Sequence, residues 1–298
     1  MTVVPILNAS GCLDALAAPE VAGALDAFVT KTITPLPREG NSPVRIAETE
    51  AGMLNSIGLQ GPGLEGFLAN SLPRLAGGGV PIWVSVGGFS ADDFREMCAA
   101  LDGLEEVATI ELNLSCPNVE EAPETAAQLV AAARSATSKR LFAKLSPSSW
   151  DVAESARAVV DAGADGLSLV NTLRGLALDQ RTLRPRLARG LGGYSGPALK
   201  PVALACVYAC ARAVDVPIVG MGGIQSGEDA LEFVAAGAGA LALGTVLFAD
   251  PAAPARVRAE LAAECDARGF ASPSEAKGVA HDTTSYSHSI TQKVLQIG

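Results

Sequence analysis

Thr109-Ile-Glu-Leu-Asn-Leu-Ser-Cys-Pro-Asn118 is the stretch from which the fold is read. Its first half alternates apolar or β-branched residues with polar ones, the pattern of a strand. Pro117 lacks a backbone donor and stops that strand at Ser115-Cys116. A thiol is thereby expected at a strand end, with the amides of Asn113 and Asn118 on either side. Taken alone, Cys116 also reads as a small apolar residue before an ordinary turn. The remainder of the chain decides between the two.

The chain has 298 residues, of which 49% are hydrophobic and 18% charged, with a formal net charge of −10. A large core is affordable at that length, and α/β barrels of this size form one domain. The acidic balance disfavours nucleic acid and anionic membranes as partners. No apolar run reaches the roughly 20 residues that span a bilayer, and the N-terminus lacks a basic, then apolar leader pattern, so the protein is read as cytoplasmic. Six cysteines (Cys12, Cys98, Cys116, Cys206, Cys210, Cys265) occur without a CxxC pair. That spacing fits neither a disulfide framework nor a metal or iron–sulfur site. Cys206 and Cys210 share one helical face and are expected in the core. The two histidines, His281 and His288, both fall in the last eighteen residues. An acid–base site here would therefore use cysteine, lysine or a carboxylate.

An opening run, Val3-Val4-Pro5-Ile6-Leu7, reads as a strand stopped at Asn8-Ala-Ser-Gly11. After it, short apolar strands alternate with amphipathic helices. Eight strands are expected, at 27–31, 53–57, 82–86, 109–115, 141–146, 166–171, 217–221 and 240–244, with helices such as 151–163 and 252–268 between them. The alternation implies parallel pairing with right-handed crossovers. The fold class is α/β, a single-domain (β/α)8 TIM barrel, with an open doubly wound sheet as the alternative. No GxGxxG follows the first strand, which argues against the dinucleotide-binding version of the open sheet. The barrel is assigned to residues 1–282, and 283–298 to a polar surface tail.

Function in a barrel collects where the strands end. Those ends carry Lys31-Thr32, Asn55-Ser-Ile-Gly58, Ser85, Asn113, Lys144, Asn171-Thr172, Gly222-Gly223 and Gly244-Thr245. The last two pairs let backbone N–H groups approach an anion, so a cofactor with a phosphate tail is expected. Lys144 and Lys31 are expected inside the mouth, where an ammonium beside a flavin pyrimidine edge stabilises the reduced ring. Asn55, Asn113, Asn118 and Asn171 suit a flat ring of alternating carbonyls and N–H groups. Flavin, planar amide ring and cysteine base together describe hydride transfer coupled to proton removal from the neighbouring carbon.

At these residues the chain resembles the class 1 dihydroorotate dehydrogenases. The resemblance runs to about Asp282 and rests on Asn8-Ala-Ser-Gly11, Val29-Thr-Lys-Thr32, Arg38-Glu-Gly-Asn41, Met53-Leu-Asn-Ser-Ile-Gly-Leu59, Asn113-Leu-Ser-Cys-Pro-Asn118, Ala143-Lys-Leu145, Val170-Asn-Thr172, Ser195-Gly-Pro-Ala-Leu-Lys-Pro201, Gly220-Met-Gly-Gly223 and Leu243-Gly-Thr245. It implies that dihydroorotate is oxidised to orotate by FMN in pyrimidine biosynthesis, with Cys116 as the base. It implies substrate contacts from Lys31, Asn55, Ser56, Ile57, Gly58, Leu59, Asn113, Asn118, Asn171 and Thr172. FMN contacts are implied for Ser10, Lys31, Thr32, Ser85, Asn113, Lys144, Val170, Gly196, Gly222, Gly223, Gly244 and Thr245, with no metal site.

Ala47-Glu-Thr-Glu-Ala-Gly-Met-Leu-Asn55, Asn171-Thr172 and Gly192-Gly-Tyr-Ser-Gly-Pro197 look like class 1B, the NAD-linked subclass. That likeness implies a homodimer core joined by an electron-transfer subunit carrying FAD and a [2Fe–2S] cluster, in a heterotetramer. The absence of cluster-like cysteine spacing agrees, since another chain must then relay the electrons. Class 1A, a stand-alone fumarate-linked dimer, is the nearest alternative, and it usually has Asn-Ser where this chain has Asn171-Thr172. A uracil-reducing flavin barrel and a non-catalytic FMN-binding paralogue are the others. One departure from the family stands out. Glu120-Glu-Ala-Pro-Glu124 runs almost directly into a helix, where the family commonly has a longer Gly-rich loop.

Overall fold

The computed structural model describes residues 3–114 and 125–282. Cys116, Asn118 and the assigned tail 283–298 lie outside the described residues. Eight parallel strands form one sheet: β1 (Ile6–Asn8), β2 (Phe28–Val29), β5 (Ile82–Val86), β6 (Val107–Asn113), β7 (Arg140–Leu145), β8 (Gly166–Leu169), β11 (Ile218–Met221) and β12 (Ala240–Leu243). Their spatial order is β1-β12-β11-β8-β7-β6-β5-β2. Each strand therefore lies beside its neighbour in chain order, as a (β/α)8 barrel requires.

The two end strands meet at a seam made partly by a side chain. Leu7 bridges Ala27 in parallel. One residue on, the fully buried Asn8 donates from Nδ2 to the Val29 carbonyl at 2.8 Å. The Val29 N–H donates back to Asn8 Oδ1, also at 2.8 Å. The amide thus reproduces a ladder pair where β1 has run out, satisfying two backbone groups that would otherwise be buried without partners.

The barrel interior is packed. Leu7, Val29, Phe142, Val219, Met221 and Ala242 form one buried cluster, with Trp83 against it. The Trp83 and Phe142 rings lie 4.7 Å apart. Gly166 sits opposite Phe142 in the register, and a Cβ there would fall 2.4 Å from the ring. The larger core lies outside the strands, where Phe94, Met97 and Leu101 of the helix Ala91–Asp102 are fully buried.

The expected helices are present as Val152–Asp161 and Ala253–Ala267. Asp151 caps the first by accepting from the N–H groups of Ala153 and Glu154, both at 2.9 Å. Helix Ala126–Arg134 starts from a Thr125/Gln128 capping box.

One strand assignment is corrected. Segment 53–57 is not a barrel stave, and β1 takes its place. Met53 and its neighbours lie in β4 (Gly52–Asn55), which pairs antiparallel with β3 (Ile46–Thr49) and β10 (Gly192–Ser195). With β9 (Leu173–Gly175) they make a separate four-stranded sheet. The physical reason is the hairpin: Thr49 opposes Gly52 across a tight turn, and two-residue turns pair strands antiparallel. β3 and β4 are inserted after β2, and β9 and β10 after β8, at the C-terminal ends of those staves, so the small sheet flanks the site.

Candidate active site at the barrel mouth

Because all eight staves are parallel, the residues after each one meet at one end. A continuous hydrogen-bonded chain crosses that end. Ser10 Oγ donates to the Thr30 carbonyl at 2.8 Å and lies 3.2 Å from Thr32 Oγ1. Thr32 Oγ1 lies 3.0 Å from Ser85 Oγ and accepts from Asn113 Nδ2 at 3.0 Å. Asn113 Oδ1 accepts in turn from Asn171 Nδ2 at 3.1 Å, and Asn171 Oδ1 from the Thr172 N–H at 2.8 Å. Each amide's orientation is thereby fixed by its neighbour.

Lys144 stands opposite Asn113 in the β6/β7 register and is buried. Its Nζ lies 3.4 Å from the carboxylate of Glu111, which is buried as well. Lys31, by contrast, lies exposed in the open mouth. Protein packed around its ammonium lowers its pKa, and the charge of a nearby Cys12 thiolate would oppose that. Burial pushes the Cys12 thiol up, against the charges of Lys144 and Lys31. The other described cysteines are unpaired, and burial raises the pKa of each, to about 12 for Cys98 and Cys210. Raised thiols in apolar surroundings are inert, and Cys206 and Cys210 are buried as expected.

Asn55 donates to the Gly193 carbonyl at 3.3 Å, and Thr172 packs against Gly193. These contacts bring Asn55 and Thr172 to the asparagine chain through the small sheet. Ser56, Ile57, Gly58 and Leu59 continue from Asn55. Asn41 holds this segment, donating from Nδ2 to Ser56 Oγ at 2.9 Å and from its backbone N–H to the Ile57 carbonyl at 2.9 Å. Arg38 adds a bond from Nε to the Gly58 carbonyl at 3.2 Å. Gly58 has φ +79° and lies so close to Asn41 that a Cβ would fall 2.6 Å from its backbone nitrogen.

At the ends of β8, β11 and β12 the backbone itself forms the lining. Val170 is buried and donates its N–H to the Met221 carbonyl at 3.0 Å. Gly223 has φ +83°, and a Cβ there would lie 2.9 Å from the Lys200 nitrogen and 3.0 Å from the Gly196 carbonyl. Gly196, Gly222 and Gly223 therefore converge as bare backbone. Gly244 and Thr245 follow β12, and a Cβ on Gly244 would come no nearer than 3.8 Å to Ala9. Such a glycine cradle suits an anionic tail. Ser168, opposite Lys144 in the register, has a buried hydroxyl with no hydrogen-bond partner among the described residues. A cradle for an anion, two lysines, a chain of amides and an orphaned hydroxyl fit a planar polar ring with a phosphate tail.

Three residues were missed at the level of sequence. Glu111 lies two positions before Asn113 on a strand, so period-two alternation already put it on the same inward face. Asn8 and Asn41 carried no such signal, because their bonds cross 21 and 15 residues of chain. His281 stacks on Tyr208 at 4.5 Å and bonds the Ala236 carbonyl at 3.0 Å, on the outer helices and not at the mouth. No group of metal-ligating side chains exists among the described residues, and no helix among them is long and apolar enough to cross a membrane.

Comparison with known proteins places this geometry. A family model described as dihydroorotate dehydrogenase matches residues 3–265. A protein of Halalkalibacterium halodurans named dihydroorotate dehydrogenase B (NAD(+)), catalytic subunit, is 47% identical, over 83% of this chain and 84% of its own. A protein of the same name from Listeria welshimeri is 43% identical, over 92% of this chain and 93% of its own. The crystal structure of ligand-free DHODH from Eimeria tenella superposes with a TM-score of 0.79 at 24% identity, covering 93% of this chain and 89% of that one. At that identity the superposition bears on the fold, which is the TIM barrel read above. The span of the family model and the likeness of these relatives show that the chain belongs to the dihydroorotate dehydrogenase family.

Proposed function

We propose that this chain is the catalytic subunit of an NAD-linked dihydroorotate dehydrogenase, oxidising dihydroorotate to orotate in pyrimidine biosynthesis. The observation that carries the reading is the chain Ser10–Thr32–Asn113–Asn171 with the buried Lys144 beside it, at the mouth of a barrel of this family. The family is flavin-dependent, and the residues fit FMN. Gly196, Gly222, Gly223, Gly244 and Thr245 would hold its phosphate. Ser10, Lys31, Thr32, Ser85, Asn113, Lys144 and Val170 would hold its ring and sugar. When bound, FMN supplies the acceptor for the hydride that leaves C6 of the substrate.

The protein's own residues do the rest. Lys31 places a cation for the substrate carboxylate. Asn55, Asn113, Asn118, Asn171 and Thr172 match the edges of the dihydropyrimidine ring, and Ser56, Ile57, Gly58 and Leu59 close beside it. The Cys116 thiolate takes the C5 proton, leaving the C5–C6 double bond of orotate. An ordinary thiol with a pKa near 8.5 is mostly protonated at neutral pH. Turnover limited by chemistry therefore rises with pH on the alkaline side.

Electron transfer to NAD needs a relay, and the relatives bear the words catalytic subunit in their names. A homodimer core with an FAD and [2Fe–2S] partner subunit in the cytoplasm is the arrangement we propose, with the barrel ending near Asp282 and 283–298 as an appended tail. Anaerobic addition of dihydroorotate to the yellow protein tests the reaction. Bleaching is expected with dihydroorotate, whereas bleaching only with dihydrouracil, or with neither, refutes the proposal. Co-purification tests the acceptor: an iron–sulfur flavoprotein partner is expected, and robust fumarate turnover by the isolated chain overturns the NAD assignment.

A further inference from the structure

Glu111 has no part in the roles above, yet its position is an expensive one. It and Lys144 are the only charged residues among the described residues that are buried. Burying a carboxylate costs more than its pairing returns, and an apolar side chain would fill the same space at least as well. Packing therefore does not account for it.

Its location does. Asn113 stands opposite Lys144 in the register, and Glu111 stands opposite Phe142, one barrel layer deeper. The carboxylate lies 3.4 Å from the Lys144 ammonium, and it springs from the backbone layer farther from the mouth. Ser168 occupies the same layer as Lys144 on the next strand. A lone ammonium in a low-dielectric wall acts on a nearby electron-rich ring with its full charge. Backed by a carboxylate, the same ammonium presents a dipole, whose field is weaker and falls off faster.

We propose that Glu111 is a positioning residue that holds Lys144 and damps its field, setting how much more tightly this site binds reduced than oxidised FMN. The inference rests on the assignment of FMN to the barrel mouth. The neutral variants Glu111→Gln and Glu111→Met remove the buried negative charge 3.4 Å from the Lys144 ammonium, so they favour the reduced, anionic ring.

The test uses the full-length chain reconstituted with FMN. Dissociation constants are measured at neutral pH for oxidised FMN and, anaerobically, for reduced FMN, and the midpoint potential is read with a reference dye. Both neutral variants are expected to raise the ratio of reduced to oxidised affinity by about tenfold, equivalent to about 1.4 kcal/mol, with a more positive potential. Glu111→Asp keeps the charge and is expected to stay within about threefold of wild type, the same measure of affinity arithmetic applying. A ratio that is unchanged in the neutral variants, or that moves the other way, overturns the inference. So does failure of both to give a folded circular-dichroism spectrum, since Glu111 would then be structural. Wild-type protein that takes up no FMN defeats the functional reading itself, which is a different result from a yellow wild type whose variants leave the ratio alone.

Discussion

Replacing Asn8 by Ala opens the barrel at its seam. The Asn8 amide makes two 2.8 Å bonds to the backbone of Val29, and the residue is fully buried. On its other side β2 is already paired, Phe28 with Ile82 and Val29 with Trp83. The variant leaves one N–H and one carbonyl of Val29 buried without partners. Each such group costs about 1–3 kcal/mol, so the pair costs about 3 kcal/mol toward the lower end. For a chain of this size, about 2–4 °C is lost per kcal/mol, giving a fall in Tm of about 6–12 °C. Urea unfolding followed by tryptophan fluorescence measures it, since Trp83 lies against the barrel interior and Trp150 is fully exposed throughout. Asn8→Leu controls for the cavity, because it restores volume without the bonds, and it is expected to be destabilised similarly. Stability of both variants within about 0.5 kcal/mol of wild type, the scatter of an ordinary surface substitution, would refute the seam argument.

Gly223→Ala places a methyl 2.9 Å from the Lys200 nitrogen at φ +83°. It is expected to cost about 1–2 kcal/mol in backbone strain and to lower the FMN content of purified protein, read from the flavin absorbance. At Asp229, burial alone raises the carboxyl pKa, but hydrogen bonds from Lys200, Gln225 and Ser226 and the Lys200 charge outweigh it, and the net direction is down. A lowered carboxylate contributes stability above its unfolded pKa of about 3.9, and that contribution is lost as pH falls through the folded value. Asp229→Asn should therefore destabilise at pH 7 and approach wild type as pH falls through the lowered folded value, as measured by Tm; a gap that does not narrow at all in acid would show that the charge is not responsible. Hydrogen bonds to Asp229 and Glu232 push Lys200 up to about 12, so on the alkaline side the contribution is intact below the ordinary lysine range and is lost as pH rises through that raised value.

The barrel was legible because burial on both faces writes short apolar runs, and seven of the eight expected strands are staves. The eighth, 53–57, was misread because an apolar strand of four residues looks the same in a hairpin as in a barrel. The true first stave, Ile6–Asn8, reads as a strand in the sequence but lies outside the repeating strand–helix alternation that defines the expected eight. Its closure depends on the Asn8 side chain, and no periodicity announces a bond across 21 residues. At the site, the strand-end residues were readable one by one from polarity against an apolar background. Their connection was not: that Asn113 bonds both Thr32 and Asn171 is a product of barrel closure, which brings positions 81 and 58 residues apart within 3.1 Å. Glu111 was within reach of period-two reasoning, but an inward carboxylate looks like a strand's solvent face until the partner lysine is placed.

Cys116→Ser, in protein loaded with FMN and mixed anaerobically with dihydroorotate, tests the central claim most directly. A serine hydroxyl is a far weaker base than a thiolate, while the glycine cradle and the Asn113–Thr32 bond that would hold the flavin are untouched. The account predicts a yellow variant that bleaches slower than wild type by about two to four orders of magnitude, the span typical of general-base catalysis. A yellow variant that bleaches at the wild-type rate would contradict it.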